Sequence, residues 1–161
     1  MFRSNTINIG NVALGGSNPI RIQSMTNTDT MDTMATVEQT LRLVEAGCEI
    51  VRITAPGIQE ANNLYNIKNE LVKRGCSVPL VADIHFNPQA AEIAASIVEK
   101  VRINPGNYVD RNVGKISYTD AEYNLEIEKI TERLNKLIEI CKRNDTAIRI
   151  GTNHGSLSER I

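Results

Sequence analysis

Residues 100–107 read KVRINPGN and set Arg102 between Val101 and Ile103, β-branched residues of the kind that fill a buried strand. The same signature, an apolar residue, an arginine and an isoleucine, returns in PIRIQS (19–24), IVRITA (50–55) and AIRIGT (147–152). These copies are centred on Arg21, Arg52 and Arg149. Strand side chains alternate between faces. If Val51 and Ile53 face a helix-covered exterior, Arg52 and Thr54 face the interior. The same alternation sends Arg21 inward with Gln23, Arg102 with Asn104, Arg149 with Gly151 and, in VADIHFN (81–87), Asp83 with His85. One carboxylate then meets four guanidinium groups.

Working outward, strand-like runs at 20–25, 49–54, 78–84, 100–104 and 146–151 are separated by helical patterns. The first, 33–46, repeats Val37, Leu41 and Val44 and is closed by Gly47. The second, 59–74, uses Leu64, Ile67 and Leu71 and is closed by Gly75. A third opens with Asn87 as N-cap and Pro88 in the first turn and continues through Ile93, Ile97 and Val98. The fourth carries a capping box, Thr119 with Glu122, and runs to Cys141. Ahead of them all, INIGNVAL (7–14) places Gly10 and Asn11 between two short apolar runs, as a β-hairpin requires.

Alternating strands and helices with short joints predict an α/β fold with a parallel sheet of right-handed units. No G-x-G-x-x-G follows the first strand, which removes the main signal for an open dinucleotide-binding sheet. Polar residues at the inward positions of every strand end favour a TIM-like (β/α)8 barrel with a single mouth. Such a barrel takes about 250 residues, and the 161 present here supply five strands after the hairpin. The chain stops at NHGSLSERI, where a new helix would begin. The expectation is therefore a partial barrel, residues 1–161 being the amino-terminal part of a longer protein, with open edges through which two copies would associate.

Composition bounds the chemistry. The 18 basic and 19 acidic side chains give a net charge of -1, so no global field collects nucleic acid or anionic membrane. No apolar run approaches the roughly 20 residues of a membrane span, and no secretory leader pattern opens the chain, so a cytoplasmic location is expected. Cys48, Cys76 and Cys141 are odd in number and far from C-x-x-C spacing, and are read as free thiols with no metal site of their own. The local charge pattern is more specific. Four inward arginines need compensating anions, Asp83 can serve one, and the remainder point to a multiply charged ligand such as a diphosphate, whose oxygens match guanidinium forks. Turn glycines Gly106 and Gly155 would bring backbone donors close to it. His85 and His154 join the candidate site, whereas Asp83 and His85 lack a third ligand at metal-binding spacing. The loop at 108–118 reads equally as a lid carrying Arg111 and Lys115 or as an ordinary solvated loop.

PIRIQSMTNTDT, GCEIVRIT, VADIHFN, VRINPGN and IRIGTNHGSLSERI together resemble, in order and over nearly the whole chain, the amino-terminal barrel of the 4-hydroxy-3-methylbut-2-enyl diphosphate synthase family of the methylerythritol phosphate route to isoprenoids. The resemblance implies a barrel mouth that binds 2-C-methyl-D-erythritol 2,4-cyclodiphosphate, with the family's diphosphate-holding residues falling on Arg52, Arg102, Arg149 and Asn153. Arg21, Asn104, Asp83, His85 and His154 complete the candidate binding set. It further implies a two-electron reductive ring opening, with electrons from a [4Fe-4S] cluster fed by ferredoxin or flavodoxin. The family holds that cluster on three Cys and one Glu of a carboxy-terminal domain, which closes over the mouth, often from the partner subunit of a homodimer. Those ligands do not fall on this chain, and the segment alone is expected to be inactive. The alternatives are a pterin-binding transferase of the dihydropteroate synthase type and a non-catalytic module that binds phosphate ligands.

Overall fold

The computed structural model describes residues 4–85, 87–104, 108 and 118–152. Strands β1 (Ile7–Ile9) and β2 (Val12–Leu14) form the antiparallel hairpin read from INIGNVAL. Five further strands, β3 (Gln23–Met25), β4 (Ile50–Ala55), β5 (Leu80–Ile84), β6 (Lys100–Ile103) and β7 (Ala147–Ile150), lie side by side in chain order and all parallel. Chain order without reversal is the winding of a barrel wall; a doubly wound sheet would place a later strand back beside the first.

Helices α1 (Thr33–Glu45), α2 (Ile58–Lys73), α3 (Pro88–Ala94) and α4 (Asp120–Asn144) connect the five strands. Their starts and stops follow the local signals. Asn87 accepts from the backbone N–H groups of Gln89 and Ala90 at the head of α3, and Thr119 with Glu122 forms both halves of the capping box on α4. Gly47 and Gly75 adopt φ of +97° and +75°, which lets the N–H groups of Cys48 and Cys76 return to the carbonyls of Leu43 and Leu71. The third helix is shorter than its apolar spacing implies. It ends at Ala94, after which the N–H groups of Ser96 and Ile97 bond to the carbonyls of Ile93 and Ala94, three residues back. This tighter turn still buries Val98 while delivering the chain to β6.

Register shows which residues share a face. Val51, Ile53, Ala82, Ile84, Val101 and Ile103 are buried beneath the helices, packed with Leu64, Ile67, Leu71 and Leu137. The opposite, inner face has an apolar floor: Ile50 and Val81 pack on Ile9 of the hairpin, with Val12, Leu14 and Ala147 alongside. The hairpin therefore plugs the strand-start end of the wall and leaves the strand ends as the open side.

Candidate functional site

Above that floor the register lines up Thr54, Asp83, Arg102 and Arg149 across four neighbouring strands, with Arg52, Val81, Lys100 and Ala147 in the row beneath. Adjacent residues of parallel strands point to the same face, so both rows look inward, as the alternation in the sequence predicts for Arg52, Asp83, Arg102 and Arg149.

Asp83 is the hub. Its side chain is 5% exposed, with Oδ1 accepting from Arg102 Nη1 at 3.0 Å and Oδ2 lying 3.5 Å from Arg52 Nε. One carboxylate thus serves two arginines, where the sequence reading allotted it one. Arg102 is fixed on its other side as well, donating from Nη2 to the Gly151 carbonyl at 3.1 Å. Gly151 makes that path available, because a Cβ there would fall 2.3 Å from Arg102 Nε. Arg52 is less satisfied. Its Nη2 approaches Met25 Sδ at 3.1 Å, and its buried Nε has no hydrogen-bond acceptor among the described residues despite the nearby carboxylate. Arg149 is exposed, in register with Arg102, and no hydrogen bond or ion pair reaches it among the described residues.

Arg21 does not join this group. It precedes β3 rather than lying within it, and its guanidinium donates to Glu49 Oε1 at 2.6 Å and to the Ala13 carbonyl at 2.8 Å. Glu49 in turn accepts from the Ile22 N–H, and that bond together with Arg21 holds its carboxyl below the usual range. Arg21 is a clamp between the hairpin and the start of the sheet, at the opposite end from the arginine row. Alternation fixes a direction only within a strand, and the extended run at 20–22 lies outside one, with Ile20 and Ile22 exposed.

His85 and Asn104 follow β5 and β6 at the open side. Asn104 is buried and His85 half-buried, and both are engaged with neighbouring groups. Asn153, His154, Gly106, Gly155, Arg111 and Lys115 lie outside the described residues. The inner face holds one residue that sequence reasoning passed over, Lys100, which is buried at 6% exposure. Carrying the alternation two residues back from Arg102 would have found it. Burial, and then the charges of Arg149 and Arg52, push its ammonium below the usual lysine range.

The three cysteines are free and separate: Cys48 and Cys76 are half-buried before β4 and β5, and Cys141 is buried on α4. Burial raises the Cys141 thiol to about 11. An iron-sulfur cluster needs convergent thiolates, and no group of three or more metal-binding side chains occurs among the described residues, so the residues described do not fit one. No helix among them is long and apolar enough to cross a membrane.

Residues 4–161 match the family described as GcpE TIM-barrel domain. The curated 4-hydroxy-3-methylbut-2-en-1-yl diphosphate synthase (flavodoxin) of Bacteroides thetaiotaomicron is 62% identical over 164 residues, covering 99% of this chain and 27% of that protein. Its namesake in Leptospira interrogans is 52% identical over 160 residues, covering 99% of this chain and 24% of that protein. The chain thus spans about a quarter of the length of the curated relatives it matches. Among solved structures, Burkholderia cenocepacia dihydropteroate synthase aligns with a TM-score of 0.54 at 14% identity, covering 96% of this chain and 65% of that one. Dihydropteroate synthase from Vibrio fischeri aligns with 0.52 at 13% identity, covering 95% and 68%. These two likenesses are of fold. By the extent of the family match and the identity to its relatives, this chain belongs to the GcpE TIM-barrel domain family.

Proposed function

We propose that this segment is the substrate-holding part of a 4-hydroxy-3-methylbut-2-en-1-yl diphosphate synthase, and that its strand-end arginines bind the diphosphate of 2-C-methyl-D-erythritol 2,4-cyclodiphosphate. The charge imbalance on the inner face carries this reading: Arg52, Arg102 and Arg149 stand in two adjacent rows with Asp83 as the carboxylate among them. Arg52 Nε is a buried donor with no hydrogen-bond acceptor among the described residues. Leaving a buried donor without its hydrogen bond costs about 1 to 3 kcal/mol even where a carboxylate lies near, and phosphate oxygens satisfy guanidinium groups in pairs.

In this reading each residue has a separate task. Arg102, held by Asp83 and the Gly151 carbonyl, is oriented before the ligand arrives, so little freedom is lost on binding. Arg52 and Arg149 supply further donors and neutralise the phosphates as the ring opens and negative charge gathers on the leaving oxygen. Asn104 and His85 at the strand ends, with Asn153 and His154 beyond the described residues, complete the proposed binding set.

The reaction proposed is the two-electron reductive opening of the cyclodiphosphate with loss of the C3 hydroxyl. We assign the [4Fe-4S] cluster of that reaction to residues outside those described, a reading in keeping with their lack of a metal-binding group. Flavodoxin, named for the relatives, is the proposed electron donor, with ferredoxin the alternative. A homodimer would bring a partner's cluster domain across the mouth. The pterin-transferase alternative draws no support from a likeness confined to fold.

A turnover assay tests the assignment. Full-length protein with its cluster and reduced flavodoxin is expected to convert the cyclodiphosphate, and this segment alone with the same reductant is expected to convert none. Product from the segment alone would overturn the division of labour. No product from the loaded full-length protein would overturn the reaction.

A further inference from the structure

The arginine row is not the whole of the positive charge on the inner face. Lys100 opens β6 and shares a row with Val81 and Ala147, directly beneath Asp83, Arg102 and Arg149. It is 6% exposed, and no hydrogen bond or ion pair reaches its ammonium among the described residues. The acidic groups nearby are committed elsewhere. Asp83 is shared by Arg102 and Arg52, Glu49 is taken by Arg21, and Glu99 accepts from Lys68 and from the Leu80 N–H.

A lysine at the first residue of a strand usually turns its ammonium out past the strand start into water. Here Ile9, Val12 and Leu14 of the hairpin close that exit against Ile50 and Val81. The stem therefore crosses an apolar floor on the face that carries Arg102 and Arg149 one row above, which leaves the strand-end side as the direction open to the ammonium. A cleft of about 510 Å³ adjoins it on the hairpin side, lined by Lys100, Arg149 and Arg21 together with Leu14, Gln23 and Ile50, and not by Arg52 or Arg102. A buried cation one row beneath two arginines and facing a cleft that other arginine side chains share is an arrangement that an anion relieves.

We propose that Lys100 is a further ligand-binding residue, contacting a phosphate oxygen of the bound diphosphate from the floor side while Arg52, Arg102 and Arg149 hold it from the strand ends. This inference rests on the diphosphate reading above and assigns a fourth cation to that site.

The proposal requires two effects of opposite sign. Without ligand, Lys100 is an uncompensated buried charge, so Lys100→Met relieves it. With ligand, Lys100 supplies a charge-assisted hydrogen bond, so the same change weakens binding. The test is calorimetric titration of oxidised full-length protein with 2-C-methyl-D-erythritol 2,4-cyclodiphosphate, alongside thermal unfolding of the ligand-free protein. Lys100→Met is expected to raise Kd about 10- to 100-fold and to raise the unfolding midpoint of the ligand-free protein, while Lys100→Arg stays within a few-fold of wild type in Kd. Lys100→Gln, smaller and polar, serves if the methionine variant does not fold. Unchanged Kd for Lys100→Met or Lys100→Gln, with Arg102→Ala weakened, would overturn the proposal and leave the diphosphate site standing. Unchanged Kd for Arg102→Ala as well would overturn the site itself. A lowered unfolding midpoint for Lys100→Met and Lys100→Gln with Kd unaltered would assign Lys100 instead to a carboxylate elsewhere in the full-length protein, which also overturns it.

Discussion

Asp83 decides how the arginines stand. A carboxylate at 3% residue exposure is tolerated because Arg102 bonds one oxygen at 3.0 Å and Arg52 lies 3.5 Å from the other. Arg102 is therefore rigid and Arg52 only partly satisfied, a division that gives one oriented donor and one with capacity to spare. The rigidity depends on Gly151. A Cβ 2.3 Å from Arg102 Nε and 3.2 Å from its Cγ and Cζ cannot coexist with the present path of the side chain. Gly151→Ala is expected to move Arg102 off Asp83 and to weaken diphosphate binding in the full-length protein about tenfold. Titration showing wild-type affinity would contradict that role. Much of this geometry was legible in the sequence, because a period of two sorts Arg52, Asp83, Arg102 and Arg149 onto one face once Val51 and Ile53 are assigned to the other. Arg21 was not, since its motif copies the others while its backbone lies outside β3. Lys100 was open to the same rule, but a lysine at a strand start is so commonly solvated that only the hairpin beneath it reveals its burial.

At the scale of elements, the hairpin is the piece whose existence the sequence discloses and whose purpose it conceals. Gly10 and Asn11 mark the turn, yet nothing local says that Ile9 will reach 0% exposure by packing on Ile50 and Val81, residues far along the chain. That contact turns a bare sheet face into a floor and drives the polar chemistry toward the strand ends. Ile9→Ala removes buried methyl groups from the plug and is expected to destabilise the protein by about 2 to 5 kcal/mol. Denaturant unfolding followed at two wavelengths measures this, and a loss below 1 kcal/mol would show that the floor does not depend on the hairpin. The loop between β3 and α1 is tied down by side chains in the same way. Thr30 Oγ1 donates to the Thr54 carbonyl at 2.6 Å, and Asn63 on α2 donates to the Thr30 carbonyl at 2.7 Å. A buried asparagine inside an otherwise ordinary helix pattern gave no warning of that anchor.

Over the whole molecule, five parallel strands in chain order with helices on one face make part of a barrel wall, and the chain spans about a quarter of the length of its curated relatives. The fold class was readable because helices and strands alternate with few interruptions and the motifs recur at the same place in each unit. In the proposed function this wall contributes cations, arranged around one carboxylate, to hold a diphosphate whose chemistry is completed elsewhere in the protein. The most direct test of this is calorimetric titration of oxidised full-length protein with 2-C-methyl-D-erythritol 2,4-cyclodiphosphate, comparing wild type with Arg102→Ala. For Arg102→Ala, Kd is expected to rise at least tenfold, with circular dichroism and the iron-sulfur absorption unchanged. Equal affinity in a folded, cluster-loaded Arg102→Ala protein would contradict it.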